Sequence, residues 1–140
     1  MVELALAMPL LLVMLFGCIE AGLLFCDAIV LGNAARESVR MASVGAPTNQ
    51  IGLVVGTTTG CLKGDLLDPP TMQYRVWYGA SWGPPQPLTD VEGRNVAQAG
   101  DQVLVTLHYR HPLATGGMLA PLFGGRTEIP ITALRVMRRE

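Results

Sequence analysis

Leu4-Ala-Leu-Ala-Met-Pro-Leu-Leu-Leu-Val-Met-Leu-Phe-Gly-Cys-Ile19 is a run of sixteen residues without a charge, and its reading decides the fold. Carried past Glu20 to Cys26, the apolar segment has twenty-three residues. As a helix that is about 35 Å, enough to cross a hydrocarbon core of about 30 Å. The helical pattern does not stop there. Apolar residues at 28, 31, 35, 39 and 42 lie on one face, with Arg36, Glu37 and Arg40 off it. Gly45 and Pro47 are stop signals, so the helix is expected to end near Val44. Forty-four residues make a rod of roughly 65 Å, apolar all round in its first half and amphipathic in its second.

The charge distribution sharpens this division. Residues 1–31 contain no Lys or Arg, and Glu3, Glu20 and Asp27 are their only acids. The chain as a whole is 50% hydrophobic and 15% charged, with a net charge of −1. Soluble domains carry about 25% charged residues, so the excess of apolar residues is concentrated in the rod. We divide the chain into a helix over 1–45 and a globular domain over 46–140. Without a basic run, an electrostatic grip on nucleic acid is not expected. Three cysteines are too few for a disulfide framework. Cys18 and Cys26 are eight residues apart on the rod, about 12 Å, too far to bridge each other.

Several residues in the rod carry functional expectations. Pro9 removes the donor for the Ala5 carbonyl, which predicts a kink or a loosened turn, although membrane helices tolerate proline. Gly17, Ala21 and Gly22 permit close helix approach. Glu20 and Asp27, seven residues apart, share a face. An acid near a bilayer centre costs roughly 2.5–3.5 kcal/mol, which calls for a partner. The sharp expectation is a cation on a neighbouring copy, with Arg36 level with Asp27 at an axial stagger of about 13–14 Å. The plain one is snorkelling or a protonated acid near the interface.

Met1-Val-Glu-Leu-Ala-Leu-Ala-Met-Pro-Leu-Leu-Leu12, Phe16-Gly-Cys-Ile-Glu20 and Asn33-Ala-Ala-Arg-Glu37 together resemble the TadE-like family of tight-adherence pilus systems, relatives of type IV pilins. A valine-rich strand ending in Tyr109, a Pro-Leu and Gly-Gly loop and a closing Met137-Arg-Arg-Glu140 extend the resemblance to the other end of the chain. The resemblance implies a prepilin whose basic leader is cut by a prepilin peptidase. The helix would then pass from the inner membrane, through the pilus assembly machinery, into the core of an extracellular homopolymeric filament serving adhesion. Glu3 resembles the family's N-terminal glutamate, which pairs with the terminal amine of a neighbouring subunit. The absence of a basic residue before the apolar run argues against a cleavable secretory signal and fits a leader already removed. Arg36 and Arg40 beyond the helix, taken alone, would hold the domain in the cytoplasm, an orientation that a removed leader reverses. Glu3, Pro9, Gly17, Glu20, Gly22, Asp27, Arg36 and Arg40 are thus the expected assembly residues. A minor priming pilin and a monomeric membrane-anchored binding domain are the alternatives.

Beyond residue 46 the pattern changes. Ile51, Val54, Val55 and Leu62 suggest a short helix, against which Gly52, Gly56 and Gly60 argue for something looser. Met72, Tyr74, Val76 and Tyr78 alternate as in a strand, and so do Val103, Val105, Leu107 and Tyr109. A third strand runs from Thr127 to about Arg138, with Pro130 marking an edge or a strand start. The expected fold is α+β: a long hydrophobic helix packed on a small antiparallel sheet, in a pilin-like lollipop. The loop from Ser81 to Asp101, with Trp82, Pro84, Pro85 and Pro87, reads as an ordinary surface excursion and, less simply, as a glycan-binding tip. Leu113, Met118, Leu119, Leu122 and Phe123 make the 112–125 loop apolar, and packing on a neighbouring subunit is expected, with packing inside its own domain the close rival.

No catalytic function is expected. No G-x-S-x-G, H-E-x-x-H or P-loop occurs. His108 and His111 have opposite strand parity and so do not form a metal pair. No metal or other cofactor is expected.

Overall fold

A computed structural model describes the backbone of residues 2–115 and 120–140, with the side chains of 2, 3, 5, 6, 122 and 123 left aside. The first element, α1 (Val2–Ser43), is one helix of 42 residues and runs through Pro9 without interruption. Its end is chemically specified. Gly45 has φ of +86°, a conformation that costs a side-chain-bearing residue energy. The Gly45 amide bonds the Ala42 carbonyl at 3.2 Å and the Ala46 amide bonds Met41 at 3.2 Å, the paired closure of a Schellman motif. Buried Asn95 donates to the carbonyls of Ala42 and Ala46 at 2.8 and 2.9 Å. A side chain distant in sequence thus ties down the end of the helix and the residue that follows its stop.

A second helix, α2 (Thr48–Thr58), turns back beside α1 and buries Ile51 and Val55. Its glycines therefore do not loosen it. Gly52 and Gly56 sit where an added Cβ would meet nothing within 4 Å. The cap comes from outside the segment: the Thr48 amide and hydroxyl both donate to the Asp90 carboxylate, at 2.9 and 2.6 Å. An acid at a helix N-terminus is favoured by the exposed amides and the helix dipole.

The strands are β1 (Thr71–Arg75), β2 (Gln86–Pro87), β3 (Asp90–Val91), β4 (Arg94–Asn95), β5 (Gln102–Pro112) and β6 (Glu128–Arg138). Four of them form an antiparallel sheet in the order β2-β1-β5-β6, and β3 and β4 form a separate ribbon. Pro130 lies on β6, an edge strand, where its missing donor costs no ladder bond. On β5 the odd positions Val103, Val105, Leu107, Tyr109 and His111 are buried, whereas His108 and Arg110 are exposed.

The inner sheet face packs on the amphipathic part of α1. Leu31, Ala34, Ala35, Val39 and Ala42 join Ile51, Val55 and the odd residues of β5 in one core. Each fully buried Leu, Ile or Val contributes about 1.5–3 kcal/mol, enough to fix the register of helix on sheet. The rest of α1 is bare. Leu4, Leu10, Leu11, Met14 and Leu15 are each more than half exposed, as is Phe25. Of the 112–125 loop, Leu113 is buried within its own domain. Met118, Leu119 and the side chains of Leu122 and Phe123 lie outside the described residues.

Candidate functional site at the helix–sheet junction

Strand β5 runs antiparallel to α1, so its C-terminal end arrives where the bare half of the helix begins. There the inner-face parity of β5 delivers His111 between Glu20 and Asp27. His111 Nδ1 is 2.6 Å from Asp27 Oδ2, and its Nε2 is 3.4 Å from Glu20 Oε1. Glu20 is 2% exposed and His111 3% exposed. A carboxylate buried this deeply must be compensated. Two backbone amides just past β5 contribute: Ala114 donates to Oε1 at 2.9 Å and Thr115 to Oε2 at 3.3 Å. The imidazole faces one acid with each nitrogen. As an imidazolium it offers an N–H to both, whereas a neutral ring can donate to only one.

Glu20 and Asp27 thus find a partner in their own chain, the His111 ring, 84 residues beyond Asp27. The spacing of seven does place them on one face, as expected. Within the chain it is His111 that meets them, and Arg36 of the same chain makes no ion pair with either acid. Arg36 is exposed and shares with Arg135 an open groove of about 360 Å³, walled by Phe25, Ala28, Ile29, Gly32 and Asn33. Arg40 pairs with Glu37 on its own helix at 2.9 Å. Gly17 and Gly22 have no atom within 4 Å of an added Cβ, so packing within the chain makes no use of their smallness. Glu3 lies in the first turn of α1, and its side chain is outside the described residues.

Tyr109, two residues before His111 on the same face, extends the cluster. Burial raises the pKa of its phenol, a backbone hydrogen bond from Lys63 opposes the rise, and the charges of Asp27, Asp65 and Cys61 add to it. Asp27, the less buried of the two acids, opens onto a groove of about 330 Å³ lined also by Cys61, Lys63 and Tyr109. No group of three or more metal-ligating side chains occurs among the described residues. Glu20 and Asp27 lie against opposite ring nitrogens of His111, an arrangement in which no one ion meets all three. With Glu20 and His111 buried and only Asp27 reaching the groove, the cluster acts as a clasp: it holds the C-terminal end of β5 to the helix at Glu20 and Asp27.

Sequence reasoning missed His111. Its signal was present nonetheless: two acids on one face of an apolar helix, and one histidine of inner parity at the end of a strand.

A helix of this length and apolarity, bare for its first half and clasped to a small antiparallel sheet in its second, defines a pilin-like α+β protein. Residues 1–40 match the family model described as TadE-like protein, over the segment that carries the bare helix and both clasp acids. Neither the curated proteins nor the solved structures gave a match to the chain.

Proposed function

We propose that this chain is a structural pilin subunit that polymerises through the exposed part of α1 into an extracellular Tad-like filament, for adhesion and surface colonisation. The observation that carries the reading is the bare helix. The segment Ala7–Ser43 is long and apolar enough to cross a membrane, and 6% of its most apolar window is buried within the chain. Leu4–Cys26, about 35 Å of helix, is long enough for a bilayer before assembly and suits the company of neighbouring helices after it. The clasp supports the same reading, because it fixes where the domain begins relative to that stem. Gly17 and Gly22, unused within the chain, leave room for close approach of another helix. Glu3 needs neutralising in either setting, and the terminal amine of a neighbour is a partner of the right charge. A prepilin peptidase and an inner-membrane assembly machinery are the partners this function requires. Arg36, bordered by Arg135 and without an acidic partner among the described residues, is available to an acid of an adjacent subunit.

The testing experiment is electron microscopy of sheared surface fractions combined with mild oxidation. Cys18 and Cys26 are free and exposed on the bare helix. In a helical polymer, copies meeting along α1 give cross-linked ladders that depend on these cysteines. Protein that stays monomeric in detergent extracts, with no filament containing it, overturns the reading in favour of a monomeric membrane-anchored domain.

A further inference from the structure

The end of the sheet remote from the clasp carries a second constellation. Trp77 and Trp82 face each other across a short antiparallel bridge, their ring centroids 4.9 Å apart and their planes tilted by 57°. The hairpin that presents them is built. Tyr78 N–H donates to Ser81 O at 3.1 Å, Gly83 N–H donates to Val76 O at 2.9 Å, and Gly79 turns with φ of +83°. At Gly83 an added Cβ would stand 2.6 Å from the exposed Tyr78 ring, which would have to shift. Even so, Trp77 is 43% exposed, far more than its size warrants if it served only the core.

Arg138 closes the third side of an open pocket of about 300 Å³ whose other walls are the two tryptophans. Its Nε donates to Gly100 O at 3.1 Å, which fixes the guanidinium. In register, Arg75 and Arg138 both pair with Gln102, so a second arginine stands on the next strand but one, beside the pocket rather than in its wall. Among the described residues neither arginine has an acidic partner, whereas Arg110 on β5 has Asp68 and Glu128. The corner therefore combines an exposed aromatic wall with unpaired positive charge.

We propose that this corner binds an acidic sugar, a hexuronic-acid unit of a surface polysaccharide. The apolar C–H face of the pyranose lies on the tryptophan wall, and the carboxylate takes a paired hydrogen bond from Arg138, with Arg75 adding charge. The pocket volume is at the lower bound for small-molecule sites and admits one ring at a time. An arginine fork matches a carboxylate in both geometry and charge. The tilted rings do not offer the parallel platform on which successive nucleic-acid bases stack. Nor does a chain of net charge −1 supply a basic groove to follow a phosphate backbone. The site is about 30 Å from the clasp along β5, at the end of the domain away from the stem. Its binding does not depend on polymerisation.

The test uses the full chain in detergent micelles. Trp77 and Trp82 are the protein's only tryptophans, so its intrinsic tryptophan emission reports from this pocket. Oligogalacturonate is expected to change that emission saturably and to lose affinity as salt is raised. Maltohexaose, inorganic phosphate and oligo-dT are expected to leave it unchanged at equal concentration. Arg138→Gln and Trp82→Ala should each weaken binding about tenfold or more, read by calorimetry so that loss of the fluorophore does not matter. Arg126→Gln, an exposed arginine elsewhere, should bind as the parent does. The proposal is overturned if oligogalacturonate gives no saturable change, if maltohexaose does as well, if phosphate competes at equal concentration, or if oligo-dT binds more tightly.

Discussion

His111 Nδ1 and Asp27 Oδ2 are 2.6 Å apart, and this contact joins the end of the longest buried strand to the point where the helix emerges from its domain. With Glu20 on the other nitrogen, it fixes how far along α1 the sheet reaches. Replacing His111 with Ala leaves two carboxylates without their imidazole partner, one of them buried. Breaking a buried pair by removing one partner costs about 3–5 kcal/mol, and Asp27, partly exposed, places the expected loss near the lower figure, about 3 kcal/mol. Urea denaturation of the protein in micelles, followed by tryptophan emission, measures it. An unchanged midpoint would mean that the clasp holds nothing.

Glu20→Gln separates charge from hydrogen bonding at the same place. The amide oxygen can still accept from Ala114 or Thr115, but the negative charge facing His111 is gone. We expect a smaller loss than for His111→Ala, about 1–2 kcal/mol. Hydrogen exchange of the Ala114 and Thr115 amides should quicken before that of the central β5 amides. Uniform acceleration across the sheet would show that the clasp is not a local unit.

Tyr109 gives the alkaline behaviour. Burial raises its pKa, so the folded protein holds the phenol proton more tightly than the unfolded chain does. The corresponding stability is fully present below the unfolded value of about 10 and is lost as pH rises from there through the folded value. Stability of the parent is therefore expected to fall more steeply above about pH 10 than that of Tyr109→Phe. Superimposable pH profiles for the two proteins would refute this.

The parts of the fold legible in the sequence were those set by local periodicity. The buried stripe of Leu31, Ala35, Val39 and Ala42, the stop at Gly45 and the parity of β5 each follow from neighbours a few residues away. The placement of Pro130 on an edge strand also follows from its missing donor alone. What escaped depended on contacts between distant segments. The α2 helix looked marginal because its cap is Asp90, 42 residues downstream of Thr48. Glu20 and Asp27 pointed to a partner outside the chain, because no local pattern says that β5 ends beside them. The tryptophan pair was visible as composition, but only the Trp77–Trp82 bridge and the register of Arg75 with Arg138 make it a corner.

Gly17 separates folding from assembly. It lies on the bare helix three residues before the buried Glu20, and an added Cβ there meets no other atom within 4 Å. Gly17→Leu should therefore leave the clasp and the sheet intact, and it raises intrinsic helix propensity by most of the roughly 1 kcal/mol that glycine costs. If copies pack closely along this face, the same leucine holds their backbones apart and removes the contact that small residues permit. The expected outcome is a denaturation midpoint at or slightly above that of the parent, together with a severalfold loss of filaments in sheared fractions. Gly52→Ala on α2, a site equally open within the chain, should keep full filament yield. Normal filaments from Gly17→Leu would remove this face from the subunit interface, and a destabilised monomer would mean that the glycine serves the fold instead.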